Sequence, residues 1–358
     1  MKKTLAILVT LTMVLLLLAA CNGDSKDDGP QLVGISMPTQ TSERWIMDGN
    51  ALKDILVDKG FEVDLQFAGD VISTQQQQIT DMLERGARVL VIAAVDGSRL
   101  SSVLEQAARD GVYIISYDRL LVDTEAVSYY ATFDNVKVGE LQAQSLIDGL
   151  NAKRGAPPWN IELFAGSPDD TNSFFFFSGA MNILQPYIDR GDIVIPSGLT
   201  DQNDVGTLRW DGDLAKARME KELAEFYNDG KALHGVLSPY DGLSRGIITA
   251  LKNFGFEPGT DNWPVVTGQD AESESIALIR SGEQFSTILK DTRDLAAVAA
   301  NMVVAVLQGL ELEINDTTTY HNNIKFVPSY LLVPYSVDAS NYRQLVIESG
   351  YLSEDDIG

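Results

Sequence analysis

Residues 89–119 read VLVIAAVDGSRLSSVLEQAARDGVYIISYDR. Two apolar, β-branched runs, 89–94 and 113–117, flank an amphipathic stretch, 99–110, that ends at Gly111. Glycine is the residue that best accepts the left-handed turn closing a helix. The expected elements are strand, helix and strand, and a connection of this length joins parallel strands in a βαβ unit. Neither strand alternates strongly between polar and apolar, as expected where helices cover both faces of a sheet. An aspartate follows each strand: Asp96 in an Asp-Gly pair, and Asp118 in Tyr117-Asp118-Arg119.

The same texture extends in both directions. Upstream, strands are expected at 32–37 and 63–67, with helices at 45–59 and 74–85; a strand at 128–132 follows the quoted segment. After Asp134 the rhythm restarts with helix 136–150, strand 161–164, helix 178–190, strand 193–196, helix 214–227 and strand 235–238. Helix 243–254 and strands 265–268 and 285–289 complete it. This is more than one open sheet ordinarily holds. The expected fold is therefore α/β, with two doubly wound parallel-sheet lobes joined near Phe133-Asp134-Asn135. A local echo supports the division. Residues 234–246 (HGVLSPYDGLSRG) again place an Asp-Gly, Asp241-Gly242, after a strand, and Asp270 follows the next strand.

Open α/β sheets bind ligands beyond the C-terminal ends of their strands. Asp118, Asp241 and Asp270 are expected there, on two edges that face each other across a cleft. Asp96-Gly97 also reads as ordinary turn chemistry. Other strand-end segments contribute Arg44 and Trp45, the polar turn 166–172 that ends in Asn172, Trp210 in a polar loop, and Lys290. Carboxylate, amide and cationic groups suit the paired hydroxyls of a sugar, and charged hydrogen bonds are the strong ones. An indole offers a flat face to the C–H side of a sugar ring. Plainer roles compete: Trp45 reads equally as helix core, and Arg44 and Lys290 as surface charges. The run Phe174 to Phe177 is expected mainly in the core, with one ring at the ligand.

The N-terminus indicates where the chain works. Lys2 and Lys3 precede the apolar stretch 5–18, and Leu18-Ala19-Ala20 leads to Cys21, the only cysteine. This is the pattern of an export signal, and its ending matches the bacterial lipoprotein signal, which implies cleavage before Cys21 and a lipid on its sulfur. Residues 1–20 are read as the signal peptide and 21–31 as a flexible tether, polar and too poor in apolar residues to pack. A net charge of −24 over 358 residues excludes nucleic acid as a partner. One cysteine permits no internal disulfide, and two histidines, His234 and His321, make no His-rich metal site. No cofactor and no metal are expected. The mature chain is expected to be a soluble monomer, held at the outer face of the cell membrane or in the periplasm by its lipid.

Eight ordered motifs then carry a resemblance: Ser-Glu-Arg-Trp (42–45), Tyr-Asp-Arg (117–119), Phe-Asp-Asn (133–135), Gly-Ser-Pro-Asp-Asp (166–170), Leu-Arg-Trp-Asp (208–211), Ser-Pro-Tyr-Asp-Gly (238–242), Gly-Gln-Asp-Ala (268–271) and Lys-Asp-Thr-Arg (290–293). From Leu32 onward the chain resembles the sugar-binding proteins of ABC transporters, of the type I periplasmic binding protein fold, and above all those that bind xylose or several aldoses. The resemblance implies that Arg44, Asp118, Arg119, Asn172, Asp241, Asp270 and Lys290 hydrogen-bond a monosaccharide, with Trp45 and Trp210 stacked on opposite faces of its ring. Asp241 stands where the xylose-binding pattern has asparagine, which argues against strict xylose specificity. The resemblance also implies a hinge of three segments, near 134, 291 and 327. The first lobe would then hold 32–134 and 291–326, and the second 135–290 and 327–358. An ABC permease is the implied partner, and a membrane sensor reading the closed form is a further one.

Two enzyme classes share parts of these patterns. Gly242-Leu243-Ser244-Arg245-Gly246 fits G-x-S-x-G at a helix start, but only His321 follows it as a base. Asp118 and Asp270 could pair as glycosidase carboxylates, but aspartates surrounded by Arg44, Arg119 and Lys290 stay ionised. No enzymatic activity is expected.

Overall fold

The computed structural model describes residues 29–358. The expected signal peptide, Cys21 and most of the tether lie outside the described residues. Strands β1 (Leu32–Met37), β2 (Glu62–Phe67), β3 (Val89–Ile92), β4 (Tyr113–Tyr117) and β5 (Tyr129–Phe133) form a parallel sheet in the order β2-β1-β3-β4-β5. Helices α1 (Glu43–Asp58), α2 (Ile72–Glu84) and α3 (Ser101–Arg109) connect the first four strands. Along β3, Val89 and Val91 join one hydrophobic cluster with Leu52 and Leu56 of α1. Leu90 and Ile92 join another with Ile79 and Met82 of α2 and Leu104 of α3. Both faces of this strand are buried, which is why its sequence lacks alternation.

The second lobe begins with α4 (Asn135–Arg154) and continues through β6 (Trp159–Leu163), α5 (Thr171–Asp189), β7 (Ile193–Val194), α6 (Gln202–Val205), α7 (Gly212–Phe226), β8 (Gly235–Leu237), α8 (Asp241–Phe254), β9 (Val265–Val266) and α9 (Ser273–Ser281). Its sheet is parallel in the order β7-β6-β8-β9, a shorter version of the first. Helix α5 starts at Thr171, seven residues before the expected 178, because Asp170 caps it by accepting a hydrogen bond from Asn172 N (3.0 Å). The phenylalanine run therefore lies inside the helix. Helices α4 and α5 cross with their backbones in contact. A methyl group at Gly139 would overlap the carbonyl of Phe176, and one at Gly179 the carbonyl of Val136.

The chain crosses between lobes three times. The first crossing, at Asp134, leads from β5 into α4, and the second, at Asp291, leads from β10 (Ser286–Leu289) into α10 (Thr292–Gln308). Each aspartate caps the helix that follows, accepting from Lys137 N and Arg293 N at 3.0 Å. Helix α10 returns Leu295, Ala299 and Val303 to the core of the first lobe. The third crossing differs from the expected position near 327. Strand β11 (Ser329–Leu332) pairs in parallel with β5, so it belongs to the first sheet, and β12 (Tyr335–Asp338) pairs antiparallel with β10. The crossing is Val333-Pro334, which moves 327–332 from the second lobe to the first. Beyond it, Val337, Tyr342, Val346 and Tyr351 pack on Ile276 and Ile279 of α9.

Candidate binding site

The C-terminal ends of both sheets face a common space of about 550 Å³, counting its mouth. Its floor on the first lobe is ionic. Arg44 projects from the first turn of α1 and is 3% exposed. It pairs with Asp48 (3.1 Å), Asp118 and, across the lobes, Asp270 (3.5 Å). Lys290 is 1% exposed and reaches Asp270 at 3.2 Å and Asp118 at 3.7 Å. Burial pushes the Asp118 carboxyl up, but Arg44 and Lys290 outweigh that and hold it down at about 2. Burial pushes Asp48, which lies deeper, up to about 7 against the pull of Arg44. A buried cation with several carboxylates in reach can exchange one of them for a ligand hydroxyl without becoming unpaired.

Arg119 pairs with Asp170 of the other lobe (3.0 Å) and donates to Ala94 O (3.0 Å). Burial pushes the Asp170 carboxyl up, and Arg119 draws it back. Asn172 is buried; its Nδ2 donates to Asp118 O (2.8 Å), while its Oδ1 accepts from Asn135 Nδ2 (3.0 Å) and Tyr130 OH (3.1 Å). It ties the second lobe to the first and to the start of the hinge helix.

The two indoles sit differently. Trp45 is part of the first lobe's core and also lines the cavity, with the guanidiniums of Arg44 and Arg119 over its ring at 4.9 and 5.1 Å. Trp210 is half-buried; its Nε1 donates to Asp170 Oδ2 (3.2 Å), and Phe176 and Tyr240 meet it edge-on at 6.3 and 6.0 Å between centroids. A side chain at Gly166 would run into the Trp210 ring. Arg209 and Trp210 both hold left-handed backbone, φ 59° and 54°, as do Asp118 at 56° and Asp270 at 94°. Asp70, at 60°, is a fifth in the lining of the same cavity, and backbone of this kind costs on the order of 1–3 kcal/mol per residue. Strain concentrated in this way marks a site whose geometry the surrounding structure enforces.

Eight of the nine expected ligand-contacting residues line the cavity: Arg44, Trp45, Asp118, Arg119, Asn172, Trp210, Asp270 and Lys290. Asp241 does not. It lies behind the wall, fully buried, accepting from Glu272 N (2.9 Å), Gln284 Nε2 (2.8 Å) and Thr287 Oγ1 (2.9 Å). Its place at the start of α8 turns it toward the loop after β9 and toward β10 and the residue two before it, where it serves the frame of the site. Asp170, Arg209, Tyr240, Gln269 and Phe176 line the cavity without having been expected individually. Asp170 and Arg209 sit inside motifs already conspicuous in the sequence, next to Asn172 and Trp210. Phe176 is the single ring of its run that reaches the cavity. Ser244 is fully buried and its hydroxyl bonds Ser238 Oγ, Tyr240 O and Thr267 O, so it has no histidine partner and no access to a substrate.

Residues 33–311 match the periplasmic binding protein domain family. This chain belongs to that family. The periplasmic binding protein is 52% identical to the multiple sugar-binding periplasmic receptor ChvE of Rhizobium radiobacter, over 91% of this chain and 92% of that one. It is 35% identical to the D-xylose-binding periplasmic protein of Escherichia coli, covering 91% of this chain and 92% of that one. Among solved structures, an ABC transporter solute-binding protein from Clostridium phytofermentans with bound β-D-glucose superposes with a TM-score of 0.87. It is 42% identical, and the match covers 92% of this binding protein and 100% of that chain. The fold is the type I periplasmic binding protein fold.

Proposed function

We propose that this binding protein captures one aldose, such as glucose, galactose or xylose, between its lobes and delivers it unchanged to an ABC importer. The observation that carries this reading is the buried set Arg44, Asp118, Asp270 and Lys290, drawn from both lobes and flanked by Trp45 and Trp210. Such a set offers donors and acceptors to every hydroxyl of a single ring, and the indoles bound its faces. The names of the relatives point the same way. Because the contacts come from both lobes, sugar stabilises the closed arrangement over an open one. An ionised Asp118 has no proton to give, which favours binding over glycoside cleavage. The test is thermal unfolding across a panel of aldopentoses and aldohexoses, with recovery of the sugar afterwards. A ligand at a hundred times its Kd adds about 2.7 kcal/mol of stability. No shift with any aldose would overturn the ligand, and turnover of the sugar would overturn the receptor role.

The anchor belongs to the same proposal. Leu18-Ala19-Ala20-Cys21 supports lipidation on Cys21. The Cys21→Ala chain should leave the membrane fraction; retention after a high-salt wash would refute the anchor.

A further inference from the structure

The second lobe carries another cavity, at the end of its sheet remote from the sugar site. It opens between the end of α4, the segment before β8, the turn after α8 and the loop before β9, and measures about 1080 Å³ with its open mouth. Lys153, Arg154, Lys231 and His234 line it, with Phe254 and Phe256 on one wall. In a chain of net charge −24, three cations and a histidine against one carboxylate on one concavity are a local reversal of sign. Cations at a helix C-terminus ordinarily offset the helix dipole, which accounts for Lys153 and Arg154 at the end of α4. It does not account for Lys231 and His234, which approach from a different segment.

We infer that this cavity is a second binding site, for a phosphate monoester whose apolar or ring portion lies against Phe254 and Phe256. The Nε of Arg154 is buried and has no hydrogen-bond partner, although the same guanidinium donates to Asp261 O. His234 Nδ1 accepts from Asn160 N (2.8 Å), which leaves Nε2 as a donor. Phe254 is 41% exposed and stacks on Phe256 at 6.2 Å and 29°, a flat apolar surface beside the charges. Burial lowers the pKa of Lys153, Arg154 and His234, and the charge of Arg154 lowers the other two further. A bound dianion relieves that repulsion and supplies the missing acceptor. Asp261 is the one carboxylate in the lining, too little to neutralise the group.

The test is calorimetric titration of the mature chain with phenyl phosphate and with inorganic phosphate, beside cosedimentation with vesicles containing phosphatidic acid. Phenyl phosphate should bind more tightly than inorganic phosphate. The double variant K153Q/K231Q, altered at two exposed side chains, should weaken binding at least tenfold while leaving the melting temperature and glucose binding unchanged. Vesicle binding lost in the same variant would also support the site and give a lipid headgroup as the source of the phosphate. Absence of binding in both arms, or binding undiminished in the variant, would overturn it.

Discussion

Asp118 and Asp241 hold different places in the echo between the halves, yet both follow a strand of a parallel sheet, one in each lobe, and both are buried. Asp118 has Arg44 and Lys290 beside it and is held ionised at about 2. Asp241 has only neutral donors on its oxygens; burial, with Glu272 nearby, pushes it up to about 8. The difference lies in what reaches the strand end from elsewhere in the chain. Arg44 comes from 74 residues away to pair with Asp118, whereas Arg245, the cation that acts on Asp241, pairs with Glu272 and Glu274 instead. A carboxylate at a sheet edge becomes part of a polar site when a distant cation joins it, and part of the frame when neutral donors do.

The comparison predicts effects of different size. Asp118→Asn should be the most damaging, leaving Arg44 and Lys290 with one carboxylate fewer. We expect aldose affinity to fall by at least a hundredfold, about 2.7 kcal/mol, and stability to fall by about 3 kcal/mol, measured by calorimetry and denaturant unfolding. Binding within threefold of wild type would remove Asp118 from the site. Gly166→Ala comes next. It should displace Trp210 and weaken sugar binding about tenfold, with loss of the sugar-induced fluorescence change; an unaltered spectrum on binding would mean that Trp210 does not meet the ligand.

Asp241→Asn should change affinity least, by about twofold or less, and shows its effect in the pH dependence of stability. Between the ordinary carboxylate value of about 3.9 and about 8, folded Asp241 keeps a proton that the unfolded chain has lost. Stability therefore falls as pH rises through that window and levels off above it. Asp118 behaves oppositely: its contribution is present above the ordinary value and is lost as pH falls toward about 2. Wild type should thus lose melting temperature relative to Asp241→Asn between pH 5 and 8. Parallel curves would refute the neutral state of Asp241.

The alternation of apolar strands and capped helices made the α/β fold and most of both sheets legible in the sequence, because strands buried on both faces leave a local signature. Eight cavity residues were legible for a related reason: strand-end loops concentrate polar groups. Asp241 was misplaced because the echo between the halves records backbone pattern alone and says nothing of which cation a carboxylate will meet. The third crossing was displaced because Ser329–Leu332 and Tyr335–Asp338 differ in partner, not in local pattern. Asp170 combines a cap for α5 with bonds to Arg119 and Trp210, and only the cap is a local property.

The position of β11 has a consequence for the order of assembly. The first lobe opens the chain, yet its sheet is not finished until residue 332, and α10, which covers one face, arrives only at 292–308. Until then β5 is an open edge and the cluster around Leu52 and Val91 lacks Leu295, Ala299 and Val303. Contacts this distant in sequence form slowly. The second lobe's parallel sheet, β6 to β9, is complete by residue 266. A chain emerging from its N-terminus therefore completes this parallel sheet before the sheet of the lobe it began.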